Sequence, residues 1–234
     1  MPLLLDKTSS TWVRSFRINR RKVSRKIFSL FGSFSRLLNP KEKFCIKPGY
    51  YHAGSIFDFD DTSNTDQWQK EVYLLAADLM KEKGYVSVID IGCGSAYKLI
   101  HYFEGYKTTG IEVEPIYKWL KQHYPNQEWL QVDHVDPESL QADMIICSDV
   151  IEHIKNPDTL LQFISSIKSR HIMISTPERD AISGSNDYGP PANPSHYREW
   201  NADEFKKYIS RWFVIQEQRI FDGLSTTQVI VCKK

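Results

Sequence analysis

The chain lacks any cysteine pair spaced for a redox couple or a structural metal. Its 234 residues hold four cysteines, Cys45, Cys93, Cys147 and Cys232, and none forms C-x-x-C. No Cys/His set has zinc-ligand spacing, so no metal is expected. A disulfide framework is not expected either, and a reduced, cytoplasmic protein is the simplest account. Long apolar runs are also missing. None approaches the ~20 residues a spanning helix needs, and no secretory apolar region is visible. Charge of one sign is scarce overall, with a formal net charge of +1.

That near-neutrality hides a division. Residues 1–48 carry twelve Lys/Arg against two acids, a net of +10, and the remainder carries −9. The basic arm includes Arg14, Arg17, Arg20, Arg21, Lys22, Arg25 and Lys26. Phe16, Val23, Ile27, Phe28, Phe31, Phe34, Leu37 and Leu38 are interleaved. Three readings compete for residues 14–38. The arm is an amphipathic segment on an anionic membrane or a partner, an acid-poor transit segment, or a solvated extension packed on its own domain. A peripheral place at the inner membrane surface is thus an alternative to a purely cytoplasmic one. Nucleic acid is not expected as a partner, because the domain behind the arm is acidic. The chain is expected to divide into an extension, 1–48, and a domain, 49–234. An apolar content of 41% suffices for one core of that size.

Within the domain, a β-branched run ends in an acid and two glycines: Val86-Ser87-Val88-Ile89-Asp90-Ile91-Gly92-Cys93-Gly94. A buried parallel strand feeding a tight turn under a nucleotide-like ligand reads this way. Gly92 and Gly94 let the backbone approach that ligand with no Cβ between. A dinucleotide site would need a third glycine at position 97, which is Tyr97. The pattern instead resembles the first motif, D/E-x-G-x-G-x-G, of class I S-adenosylmethionine-dependent methyltransferases. Ala96 replaces the last glycine, a change expected to be tolerable at a helical position. Glu112 ends a second short strand 22 residues after Asp90. An acid there accepts hydrogen bonds from ribose hydroxyls, since a carboxylate offers two acceptor oxygens to a vicinal diol. The alternative is a solvated glutamate at a strand end.

The segment from Thr65 to Lys83 has helical periodicity. By the family resemblance, Trp68, Gln69 and Tyr73 on it could face the cofactor, although core packing is the stronger expectation for Trp68 and Val72. A third strand, Glu128–Val132, leads to Asp133, which the resemblance places on the adenine amino group; Asp136 and Glu138 are nearby alternatives. The fourth strand, Ala142–Ser148, runs into Asp149-Val150-Ile151-Glu152-His153-Ile154-Lys155-Asn156-Pro157-Asp158. This phrase is similar to the fourth motif of the subgroup containing ubiquinone-type and small-molecule O-methyltransferases. It implies Ser148 and Asp149 as pocket residues near the donor. His153 is a candidate general base, because imidazole titrates near neutrality. Glu152 and His153 as hydrogen-bonding groups that hold the turn are the competing account.

A long Gly/Pro/Asn-rich segment follows the fifth strand, His171–Thr176, and ends at Ser195-His196-Tyr197-Arg198-Glu199-Trp200. A loop this long in a compact domain is functional or disordered. Its P-x-N-P-x-H-x-R-E-W phrase resembles methyltransferases of surface-glycan biosynthesis. Tyr197, Arg198 and Trp200 are expected over the acceptor, with His196 as the other candidate base. The competing account makes His196 a loop anchor and Arg198–Glu199 an ion pair.

The expected fold is α/β: a doubly wound, seven-stranded, mostly parallel sheet of the Rossmann-like kind, closed by an antiparallel strand. Asp90, Gly92, Gly94, Glu112, Asp133, Ser148 and Asp149 would hold S-adenosylmethionine. A sugar or lipid-linked glycan hydroxyl is the expected acceptor, and a small quinone-like hydroxyl comes next. A catalytically silent scaffold and a nicotinamide-dependent oxidoreductase are the readings from other classes.

Overall fold

Four strands with continuous apolar burial build the centre of this protein. In the computed structural model, residues 44–47, 50–51, 61–222 and 226–234 are described. Residues 14–38 of the basic arm therefore lie outside the described residues.

Strands β1 (Ser87–Ile91), β2 (Lys107–Glu112), β3 (Glu128–Gln131), β4 (Met144–Ser148) and β5 (His171–Pro177) are parallel; β6 (Val214–Phe221) and β7 (Thr227–Lys233) complete the sheet. The order is β3-β2-β1-β4-β5-β7-β6, and β7 runs antiparallel between β5 and β6. This is the seven-stranded sheet expected from the resemblance.

Burial on both faces explains the unbroken apolar strands. Ile89, Ile145, Cys147, Ile172 and Ile174 face one cluster with Leu161, Ile164, Phe205 and Ile209. Their neighbours Val88, Met144, Ile146 and Met173 face the other cluster with Val72, Ala76, Met80, Leu99 and Leu120. Period-two alternation thus divides each strand between two cores. The edge strand β6 keeps exposed charges such as Glu217 and Arg219, which discourage edge pairing.

Helices α1 (Lys70–Lys83), α2 (Tyr97–Tyr102), α3 (Ile116–His123), α4 (Pro157–Ser166), α5 (Arg179–Ser183) and α6 (Ala202–Ile209) connect the strands or flank the sheet. The first helix starts five residues later than its periodicity suggests, because Gln69 takes a left-handed φ of 61°. It ends at Gly84, also left-handed, whose N–H donates to the carbonyls of Met80 and Lys81. Helix α6 begins after Asn201, which forms a reciprocal capping box with Glu204. Helix α5 has no counterpart in the sequence reading. Glu178 nucleates it by accepting from the Ala181 N–H, and its other oxygen accepts from the Ala202 N–H.

The expectation for Ala96 is corrected. The residue is not helical but precedes α2 with a φ of 55°. A left-handed alanine costs ~1–2 kcal/mol, the cost a glycine avoids. Its methyl is buried in the α1–α3 core, which partly offsets that cost.

The chain leaves β1 toward β2 on one side, and β4 lies on the other. The carboxyl ends of β1 and β4 therefore diverge at a topological switch point, where open α/β sheets place their ligand crevice.

Candidate functional site

A cavity of about 950 Å³ opens at that switch point. Gly92 and Gly94 form one wall, with φ of 73° and 54°. A Cβ on Gly92 would stand 2.4 Å from Val150 Cγ2, so this turn admits no side chain. Glu112 sits at the tip of β2 and is buried. Its Oε1 accepts from the Gly94 N–H and its Oε2 from the Val113 N–H, both at 2.8 Å. These bonds orient the carboxylate and leave each oxygen a second lone pair. Burial raises its pKa, and the two amides oppose that shift.

Asp90 lies beneath the wall rather than in it. It is fully buried, and Tyr73, which does line the cavity, donates to its Oδ2 at 2.9 Å. Its Oδ1 has no hydrogen-bond partner. Burial pushes the carboxyl up to about 7, against the Tyr73 bond and the Lys98 charge.

Ser148 and Asp149 line the cavity from the end of β4. Ser175 Oγ donates to Asp149 Oδ1 at 2.6 Å and receives the Asp149 N–H at 3.1 Å. Its one hydrogen is therefore used, and Ser148 Oγ at 2.8 Å must be the donor to it. Asp149 holds a left-handed φ of 54°. Burial raises its carboxyl, and hydrogen bonds from Ser175 and Gln69 oppose that.

Asp133 is placed differently from expectation. The chain enters a 3-10 turn, Val132–His134, and Asp133 is exposed there while Val132 lines the cavity. Trp68 is corrected in the other direction. It is 40% exposed and lines the cavity rather than packing in the core, and Gln69 lines it beside Tyr73. Val72 is a core residue, as expected.

The far end of the cavity is built by a short turn, Ile151–His153, and the long loop before α6. Four bonds tie them. The Tyr197 N–H donates to the Glu152 carbonyl at 2.8 Å, and His153 Nδ1–H to the Ser195 carbonyl at 3.1 Å. Arg198 donates to the carbonyls of Ile154 and Lys155 at 2.7 and 2.6 Å. Arg198 is fully buried, and its guanidinium stacks on Phe44 at 4.6 Å and Trp200 at 5.9 Å. Trp200 is fully buried too, parallel to Tyr208 and donating to the Phe44 carbonyl. These two residues are therefore loop anchors, not a cover over the acceptor. Nor do Arg198 and Glu199 form an ion pair. Glu199 instead accepts from His196 Nδ1 at 2.7 Å and from the Tyr50 hydroxyl at 3.2 Å. Tyr197 does line the cavity.

The two histidines meet edge to face, with ring centroids 4.7 Å apart. Burial, and then the neighbouring His196, lower the pKa of His153 to about 4. Such a ring stays neutral and accepts a hydrogen bond, but it is a weak proton sink at pH 7. The tautomer of His196 follows from its neighbours. Asn193 Oδ1 accepts from the Ser195 N–H at 3.0 Å, so its Nδ2 faces His196 Nε2 at 2.9 Å as donor. Nε2 is then the acceptor, and Nδ1 carries the hydrogen toward Glu199. Glu152 completes the cluster. It is fully buried, and its Oε2 accepts from Thr176 Oγ1 at 3.0 Å, while Oε1 has no partner. Burial raises its pKa well above the carboxylate range, and the Asp149 and Glu199 charges add to this.

The sequence reading missed Lys98 and Asn193. Lys98 is buried at the cavity wall and donates to the Thr65 carbonyl at 3.0 Å. Its position on a crossover helix carries no pattern that marks it. Asn193 stands three residues before His196, and that spacing was the available signal.

A family model described as a methyltransferase domain matches residues 30–217. The fold is similar to the magnesium protoporphyrin IX methyltransferase from Synechocystis PCC 6803, solved with bound S-adenosylhomocysteine. The two share 16% identity at a TM-score of 0.54, over 91% of this chain and 99% of that one. It is similar to the methyltransferase domain of bacterial CtHen1, with 20% identity and a TM-score of 0.53 over 72% of this chain and all of that one. It is also similar to the N-methyltransferase NodS from Bradyrhizobium japonicum WM9, again with S-adenosylhomocysteine. There the identity is 12% and the TM-score 0.54, over 74% and 94% of the chains. No curated protein sequence matches.

Proposed function

Because this chain belongs to the methyltransferase-domain family and is an S-adenosylmethionine-dependent enzyme, we propose that its acceptor is a hydroxyl of a sugar, a glycan or another small molecule. The residues present fit the cofactor. Two left-handed glycines leave a wall without side chains, and Glu112 offers one remaining lone pair on each oxygen. Gly92 and Gly94 would hold the amino-acid end, Glu112 the ribose hydroxyls, and Ile116 with Val132 an apolar purine. The bound group supplies an electrophilic methyl on a positively charged sulfur. Ser148 and Asp149, at the tip of β4, would flank that centre.

One observation carries the choice of a hydroxyl. The far end of the same cavity gathers Glu152 Oε1, buried and without a partner, beside the two imidazole rings. Among the described residues that end presents carboxyl oxygens and ring nitrogens and no Lys or Arg. It suits a group that brings its own hydrogens, as a polyol does. What this chain does for the transfer is alignment of the hydroxyl, exclusion of water and acceptance of hydrogen bonds from the hydroxyl. We place the enzyme in the cytoplasm, with the basic arm as its contact with a membrane surface or a partner.

The test is transfer of a labelled methyl group to a panel of free sugars, lipid-linked glycans, small phenols and short RNA, with product linkage read by NMR. An O-methyl sugar or phenol is the expected product. Labelled RNA, or an N-methyl product, would overturn the proposal while leaving the enzyme class intact.

A further inference from the structure

We propose that Glu152, His153 and His196 form a divalent-cation site at the acceptor end of the cavity, and that the cation chelates the acceptor through two hydroxyl oxygens. Each of the three residues offers a ligand atom, and these atoms all lie within 4.8 Å of one another. They come from two segments 43 residues apart in sequence, which the bonds from Tyr197 and His153 hold together. The linear sequence therefore shows no metal spacing, although the folded chain has a two-histidine, one-carboxylate set. That donor set suits divalent first-row ions and leaves coordination positions open.

A second, independent observation points to a ligand. Glu152 is fully buried, yet its Oε1 has no partner, while Oε2 is satisfied by Thr176. A buried carboxyl oxygen left without a partner is costly, and a cation beside it would satisfy that oxygen. The outer contacts also fit. His153 donates Nδ1–H to a backbone carbonyl, and His196 donates Nδ1–H to the Glu199 carboxylate. Metal-bound histidines are oriented in this way, with the opposite nitrogen directed at the ion. In the metal-free protein Asn193 Nδ2 occupies the lone pair of His196 Nε2, and metal entry exchanges that bond.

The site would also solve a chemical difficulty. With both histidines turned to the cation, neither is free to take the alcohol proton. A bound cation lowers the pKa of a coordinated hydroxyl instead. The hydroxyl loses its proton to solvent, its oxygen pair forms the C–O bond to the transferred methyl, and the C–S pair stays with sulfur. Two open positions select a vicinal diol over a lone alcohol. This acceptor preference rests on the hydroxyl-transfer reading; the cation site itself does not.

The experiment uses the full chain, stripped with chelator and titrated by calorimetry with Mn²⁺, Co²⁺ and, separately, S-adenosylhomocysteine. Wild type is expected to bind one cation per chain. E152Q, H153Q and H196Q should each weaken binding by at least ~10-fold and keep S-adenosylhomocysteine binding, which reports an intact fold. Pulsed EPR of Mn²⁺ on wild type should show imidazole nitrogen couplings, so the test holds even if a variant does not fold. No cation binding by a chain that binds S-adenosylhomocysteine would overturn the cation site and spare the methyltransferase reading. Cation binding unchanged in all three variants, or without nitrogen coupling, overturns it equally. Cation binding without S-adenosylhomocysteine binding would instead sink the methyltransferase reading.

Discussion

Asp90→Asn should stabilise the ligand-free protein at pH 8 and lose that advantage toward pH 4. Asp90 is fully buried, and burial lifts its pKa from 3.8 to about 7. The native state therefore binds a proton that the unfolded chain has released, and stability falls as pH rises through that window. Between 3.8 and about 7 the fall sums to ~4 kcal/mol as a ceiling, at 1.36 kcal/mol per pH unit. Asparagine cannot ionise, so the variant escapes it. Its amide would occupy the place of Oδ1, which has no partner now, and an unpartnered buried donor costs ~1–3 kcal/mol. The net gain at pH 8 is then ~2 kcal/mol, a rise in melting temperature of ~4–8 °C for a chain of this size. The assay is thermal unfolding of both proteins without ligand from pH 4.5 to 8.5. Other buried carboxyls shift the same way in both, so the difference curve isolates Asp90. A difference that stays flat across pH would refute the reasoning, because it would mean that Asp90 titrates alike folded and unfolded.

Two further predictions follow from the geometry. Gly92→Ala would place a methyl 2.4 Å from Val150 Cγ2 at a left-handed φ, which should cost at least ~2 kcal/mol in denaturant unfolding and weaken S-adenosylhomocysteine binding. Arg198→Ala would remove the donors to the Ile154 and Lys155 carbonyls and a fully buried side chain. It should lower stability by at least ~3 kcal/mol, read by urea unfolding. An Arg198 variant of wild-type stability with a raised acceptor KM would restore it to the substrate surface.

How much of the site was legible depended on whether local backbone demands or distant packing set each residue. Gly92, Gly94 and Glu112 could be read because a strand, a two-glycine turn and a second strand tip lie within 27 residues in fixed order. Arg198 and Trp200 were misread because an exposed-looking loop phrase does not reveal what will pack on it. Phe44, Ile154 and Lys155 do so here, from 43 to 156 residues away. Trp68 was misread for the opposite reason: an aromatic on a helical stripe looks like core until the helix is found to start after it.

Alternating strands and helices and the two-glycine turn after β1 were legible from local pattern, and the seven-stranded sheet followed from the family resemblance. Which polar groups are stripped of water, and which of them meet, was set by packing between distant segments. Burial, not residue type, lifts Asp90 to about 7 and lowers His153 to about 4. The joining of Glu152 and His153 to His196 across 43 residues is likewise a product of packing. Desolvation and long-range proximity are properties of a surface folded against itself, and no local pattern encodes them.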